Sequence, residues 1–399
     1  MKKTEEVLSS QQTTNETPKT DKPWTIEDSS ALYHIENWGN GHFSANNDGN
    51  IICSPLLGAG ASIPLMSVVQ EAKKRGISFP LQIRFHDLLK HRVRAINLAF
   101  KNAIEEIGYQ NYYQGVFPIK VNQLREVVEE ILDAGREFNY GLEAGSKPEL
   151  VASLAMLETS NSLIICNGYK DEQFVRLALL GCKIGRKVIL VVEKMDELHL
   201  VMKYSRILGV TPVIGFRIRL SSKGHGKWAE SGGENAKFGL SVSEALEAWE
   251  ILQDQGFHQS VQLLHFHIGS QVPDVMHIKK AVREAARYYS KFVQLGEPLK
   301  YLDVGGGLAI DYDGSGSPTD SSMNYSLEEY ARTVIENIKD VCDEEKVAHP
   351  IVVSESGRFV VAPHTVLIVE AFENVEKTHE TKSMKITSID REHKFIREI

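Results

Sequence analysis

The chain has 399 residues, 42% hydrophobic and 25% charged, ordinary proportions for a globular protein and enough length for one large domain or two medium ones. Its formal net charge of −8, from 45 basic and 53 acidic residues, is scattered without a basic stripe, which argues against nucleic acid as the main partner. The four cysteines, Cys53, Cys166, Cys182 and Cys342, form no CxxC pair, so neither a disulfide framework nor a structural zinc site is expected. No apolar run approaches the roughly 18 residues of a membrane span.

Residues 1–29 begin MKKTEEVLSSQQTTNETPKTDKPW, polar and without the apolar core of a signal peptide, and are expected to be a disordered tail of a cytoplasmic protein. Residues 30–110 mix aromatic and polar residues with Gly and Asn turns. They read as a β-rich segment with a strand at LQIRFHDLL (81–89) and a lead-in helix at HRVRAINLAFKNAIEEIG (91–108). From residue 111 onward, short apolar runs alternate with helical patterns. The candidate strands are GVFPI (115–119), FNYGLE (138–143), SLIICNG (162–168), KVILVVE (187–193), PVIGFRIR (212–219), VQLLHFHI (261–268), KYLDVG (300–305) and IVVSES (351–356). Several are nearly continuous apolar runs, as in a parallel sheet buried on both faces.

Eight strands with intervening helices over some 250 residues match the count and size of a (β/α)8 barrel, here 111–358. A doubly wound open sheet uses the same alternation, and the tally favours the barrel. Residues 359–399 return to β-like segments and read as the start of a second, incomplete β-domain that joins residues 30–85.

Reactive groups of such barrels gather at the carboxyl ends of the strands. Those positions hold Lys120, Glu143, Arg217, His267, Ser270, Gly305, Gly306, Gly307, Glu355 and Arg358. An isolated GGG reads first as a tight turn. After strand 7, however, its backbone N–H groups can approach an anion, with Arg358 supplying a charged fork. A lone strand-end lysine most often snorkels to solvent. At a desolvated mouth it is expected to have a lowered pKa and to form a Schiff base with a carbonyl. A phosphate cradle, such a lysine and an acid able to face a ring nitrogen, Glu355, together describe a pyridoxal phosphate site. His267 would lie against the ring, with Ser270 contacting the phosphate or holding the histidine.

The stretches GVFPIKVNQ, NYGLEAGSKPEL, HFHIGSQ, LDVGGGLAIDYDGS and SESGR, in that order, resemble the alanine-racemase-fold decarboxylases that use pyridoxal phosphate, and more narrowly the biosynthetic arginine decarboxylases. HIGSQ and LDVGGGL are shared with diaminopimelate decarboxylases, whereas FPIKVNQ, GLEAGSKPEL and ICNGYKD are closer to the arginine enzymes. The resemblance implies that Lys120 carries the cofactor, that His267 stacks on it and that Glu355 faces its ring nitrogen. It also implies that Ser270, Gly305 to Gly307 and Arg358 hold the phosphate, with Glu143 and Arg217 supporting. The segment Leu302, Asp303, Val304, Gly305, Gly306, Gly307, Leu308, Ala309, Ile310, Asp311 and Tyr312 would serve cofactor and substrate. A homodimer or higher homo-oligomer, L-arginine as substrate in a polyamine route and an accessory magnesium ion are further implications. Relatives of this kind continue beyond residue 399, so the chain is expected to be a fragment, a truncated product or half of a split enzyme, weakly active alone. A diaminopimelate decarboxylase and a non-catalytic relative are the alternatives.

Overall fold

The computed structural model describes residues 23–221, 238–296 and 298–375. The expected tail therefore lies mostly outside the described residues, as does the chain after residue 375.

Before the barrel come helices α1 (Ile26–Leu32), α2 (Ile35–Gly39), α3 (Leu65–Lys74) and α4 (His86–Ile107), with short strands β1 (Phe43–Ala45), β2 (Ile51–Cys53), β3 (Ile63–Pro64) and β4 (Leu81–Arg84). The expectation of a disordered tail through residue 29 is thus corrected. Thr25 and Asp28 form a capping box that starts α1 at Ile26, satisfying otherwise orphaned helix-end donors. This region holds more helix than strand, another departure from the β-rich reading. The strands that do form are explained locally: β1 and β2 make a hairpin whose turn is closed by Asn46, its Oδ1 accepting from the Asp48 and Asn50 amides at 3.1 and 2.9 Å. Antiparallel pairing joins β4 to β13 (Thr365–Ile368), so segments on either side of the barrel meet.

The barrel strands are β5 (Tyr113–Pro118), β6 (Gly141–Ala144), β7 (Leu163–Cys166), β8 (Lys187–Val192), β9 (Val213–Arg217), β10 (Val261–His265), β11 (Tyr301–Asp303) and β12 (Ile351–Ser354). All neighbours are parallel, and β9 pairs with β10 to close the ring. Helices α5 (Arg125–Gly135), α6 (Lys147–Met156), α7 (Glu172–Lys183), α8 (Met195–Leu208), α9 (Val242–Asp254), α10 (Val275–Gln294) and α11 (Leu327–Glu345) lie in the crossovers, and α12 (Gly357–Val361) follows β12. Polar N-caps start several of these helices: Asp171 accepts from the Phe174 amide, Ser241 from Glu244 and Ser326 from Glu329.

Residues alternate between the two faces of each strand. One set, including Leu142, Ile164, Leu190, Phe216, Leu264, Leu302 and Val352, packs outward against the helices. The other set, Val116, Leu163, Ile165, Ile189, Val191, Leu263 and Val353, fills the barrel interior. Two residues further along, the interior positions become polar.

Candidate active site at the barrel mouth

That change follows from strand periodicity. Ile165 is succeeded on its face by Asn167, Val191 by Glu193, Leu263 by His265 and Val353 by Glu355. Parallel register aligns His265 with both Arg217 and Asp303. Glu143, Asn167, Glu193, His265, Asp303 and Glu355 are all buried, so the apolar interior carries a lid of ionisable and amide groups.

Lys120 follows β5 in a 3-10 turn, Ile119–Val121, and donates to Glu143 Oε2 at 3.0 Å. Its side chain is half exposed whereas that of Glu143 is fully buried. Desolvation lowers the Lys120 pKa, but Glu143 and Glu355 outweigh it and leave the ammonium above its ordinary value. The expected lowering is therefore corrected: two carboxylates at the mouth hold the proton on Nζ. Burial, aided by Glu355, pushes Glu143 up to about 7, and burial with Asp303 nearby raises Glu355 as well.

His267 accepts from the Gly269 amide at Nδ1, 3.0 Å away, so its proton sits on Nε2. Burial, then Arg217, His265 and Lys120, hold its pKa well below the usual histidine range, and the ring is neutral. The glycine loop lies against it. A Cβ on Gly306 would stand 3.2 Å from His267 Nε2, and one on Gly305, whose φ is +65°, would meet the Phe266 carbonyl oxygen at 2.4 Å. Only glycine satisfies both conditions at residue 305. Opposite, Arg358 donates to Ser270 Oγ from Nε and Nη2 at 3.3 and 2.9 Å, and to Tyr312 Oη from Nη1 at 2.9 Å.

Lys120, His267, Ser270, Gly306, Gly307, Leu308, Tyr312, Glu355 and Arg358 line one cleft of about 300 Å³. The expected substrate segment is divided. Leu302, Val304 and Ala309 are packed in the hydrophobic core, and Ile310 exchanges hydrogen bonds with Gln271. Asp303 lies beneath the cleft, its Oδ1 accepting from the Gly305 amide at 2.9 Å. Asp311 is occupied elsewhere, by Ser322 Oγ at 2.6 Å and the Gly316 amide at 3.1 Å. Arg217 does not line the cleft; its Nη1 is 3.1 Å from each Glu193 oxygen.

Sequence reasoning missed Asn167, Glu193 and His265. The available signal was the two-residue alternation continuing past the strand ends, most plainly in HFH (265–267). His265 lies 3.1 Å from Asp303 Oδ2 and 3.6 Å from Glu355 Oε1, and burial drives its pKa down to about 4. Asp303 Oδ2 is met by His265 Nδ1, whereas His265 Nε2, Glu143 Oε1 and Asn167 Oδ1 have no hydrogen-bond partner among the described residues. Unpaired buried polar atoms are costly, and their concentration beneath one cleft marks a site built for a polar occupant. A neutral imidazole face, a fork of Arg358 and Ser270 beside Cβ-free backbone, an amine and a buried carboxylate fit pyridoxal phosphate. His265, Asp303 and Glu355 are the described residues whose ligand-type atoms cluster within 4.8 Å. One imidazole and two carboxylates do not suit magnesium, which favours oxygen ligands and retained water.

A (β/α)8 barrel with this mouth defines a class of cofactor-dependent enzyme folds, and the comparisons narrow it. The profile of the family "pyridoxal-dependent decarboxylase, pyridoxal binding domain" matches residues 93–362. The chain belongs to this family. It is 45% identical over 371 residues to a biosynthetic arginine decarboxylase of Prochlorococcus marinus (strain MIT 9215), covering 93% of this chain and 57% of that one. With its counterpart from Rhodopirellula baltica it shares 47% identity over 350 residues, 88% of this chain and 52% of that one. The crystal structure of the Campylobacter jejuni biosynthetic arginine decarboxylase superposes with a TM-score of 0.75 at 32% identity, over 84% of this chain and 53% of that one. A diaminopimelate decarboxylase from M. jannaschii shares the fold, with a TM-score of 0.66 at 21% identity over 82% of this chain and 69% of that one. The chain thus spans about half the length of the curated relatives it matches.

Proposed function

We propose that the chain is the cofactor-binding part of a decarboxylase that converts L-arginine to agmatine and carbon dioxide. The observation that carries this reading is the convergence of Lys120, His267, Ser270, Glu355 and Arg358 on one cleft, in a chain whose relatives at 45–47% identity are named biosynthetic arginine decarboxylases. Pyridoxal phosphate, when bound, supplies an electron sink for the bond to the departing carboxyl group.

The chain's residues prepare that chemistry. Arg358, Ser270 and the Gly306–Gly307 backbone would hold the phosphate dianion. Neutral His267 offers a ring face without adding charge. Lys120 Nζ can pass its proton to Glu143 Oε2, 3.0 Å away, and become the free amine that attacks a carbonyl. Glu355, buried and with its Oε1 fixed by Asn167, would hold a proton at the ring nitrogen. A carboxylate there, rather than a cation, favours loss of carbon dioxide over racemisation. Magnesium has no role in this reading. A homo-oligomeric state and a cytoplasmic setting belong to the same proposal. Exposed Leu367, Val369 and Phe372 support the first, and unpaired buried Cys53, Cys166 and Cys342 the second.

The test is carbon dioxide release from carboxyl-labelled L-arginine, L-ornithine, L-lysine and diaminopimelate, with pyridoxal phosphate supplied. Among these substrates kcat/KM should be highest for arginine. A higher value for another substrate overturns the substrate assignment. Release from none overturns the decarboxylase reading of this chain.

A further inference from the structure

Asn167 is 5% exposed and lies just past β7, yet its side chain reaches a residue that follows β12, three strands away around the ring. Its Nδ2 donates to Glu355 Oε1 at 2.6 Å. The same amide eases Glu143 toward its ionised form. Against the Glu355 carboxylate the amide must present its nitrogen, because a carbonyl oxygen there would face only an acceptor.

The backbone fixes this reach. The Asn167 amide donates to the Ala144 carbonyl at 3.1 Å. The next residue, Gly168, has φ +73° and donates to Glu193 Oε1 at 2.7 Å. A Cβ on Gly168 would come within 2.9 Å of the Gly145 carbonyl oxygen, so the turn that aims Asn167 inward needs glycine. Asn167 Oδ1 remains without a partner. The result is two hydrogen-bonded pairs at the mouth, Lys120 with Glu143 and Asn167 with Glu355.

We infer that Asn167 is a positioning residue, a neutral donor that reaches across the barrel mouth and holds Glu355 as a fixed acceptor for the pyridoxal ring nitrogen. The inference rests on the pyridoxal phosphate reading of the cleft. Two carboxylates facing each other in a buried site cannot both ionise freely. A cation in place of Asn167 would neutralise the acid that the cofactor needs, and an apolar residue would leave Glu355 Oε1 unpaired. An amide supplies hydrogen-bond donors without adding charge. The charged and titratable groups of the mouth are Lys120, Glu143, Glu193, Arg217, His265, His267, Asp303 and Glu355, contributed by the strands other than β7 and the segments that follow them.

The deciding variant is Asn167→Asp, which keeps shape and packing but removes the donor once its carboxyl ionises. Two readouts are taken between pH 5 and 8: thermal unfolding of the chain without added cofactor, and the visible absorbance of bound pyridoxal phosphate. A protonated Asp can still donate, so the variant should approach wild-type stability at low pH and fall progressively below it as pH rises. Its acid-side absorbance midpoint should move upward by about one pH unit, the value of one hydrogen bond to a charged group. A pH-independent loss of stability together with an unmoved midpoint overturns the inference. Should Asn167→Asp not fold at any pH, Asn167→Ser decides on the midpoint alone, with the same upward shift expected. If wild type shows no cofactor band, the pyridoxal reading fails, while the unfolding comparison still tests the clamp.

Discussion

The lower and upper halves of the barrel interior are built from the same strands two residues apart, yet they solve opposite problems. Below, Val116, Leu163, Ile165, Ile189, Val191, Leu263 and Val353 interdigitate as a dry layer, which gains from the hydrophobic effect and asks for no hydrogen bonds. Above, Glu143, Asn167, His265, Asp303 and Glu355 are buried as well, but polar atoms of Glu143, Asn167 and His265 are left unpaired. A fold gains nothing in stability from the second arrangement. The difference separates what holds the barrel from what the barrel holds, and a rigid apolar layer is what lets an unfavourable polar layer stay in register.

The comparison breaks most sharply at Lys120. Lys120→Ala should fold as wild type but show no visible absorbance with pyridoxal phosphate and no detectable turnover; a surviving band would remove Lys120 from its assigned role. In the lower layer Leu263→Ala should do the reverse. Leu263 is fully buried and lies where a Cβ on Gly215 would collide with it, so denaturant unfolding should report a loss of about 2–5 kcal/mol. Cofactor affinity of the folded fraction should not change. Arg358→Ala should weaken cofactor binding roughly tenfold to hundredfold, as expected for lost charge-assisted hydrogen bonds, with little effect on stability; titration of cofactor fluorescence measures it.

The smallest effect concerns pH. Glu143 titrates near 7 in the folded chain, above its ordinary value of 4.5. Its raised pKa favours the fold below pH 4.5, and that contribution is lost as pH rises through about 7. Glu143→Gln removes this dependence, so its Tm relative to wild type should climb between pH 4.5 and 7. A flat difference would mean that Lys120 compensates the charge fully.

All eight barrel strands were legible in the sequence, because strands buried on both faces leave unbroken apolar runs. Their edges were less so. FNYGLE begins pairing only at Gly141, since Phe138 belongs to a 3-10 turn and Asn139 is left-handed. Helices α1 and α2 are short and polar, and their periodicity is too brief to register. Among site residues, Lys120, His267, Ser270, Glu355 and Arg358 were readable at strand ends. Asn167, Glu193 and His265 were not, because an Asn or Glu two positions beyond an apolar run is unremarkable until ring closure brings it to others. The Lys120 pKa direction failed for the same reason: desolvation is local, whereas the opposing carboxylates come from β6 and from beyond β12.

The most direct test of the central claim is reductive trapping. The chain is incubated with pyridoxal phosphate, reduced with borohydride, digested and mapped by mass spectrometry. The account predicts a pyridoxyl group on Lys120 and not on buried Lys170, whose Nζ is already committed to the Gly168 and Val191 carbonyls and Glu197. Modification at another lysine, or at none, would contradict it.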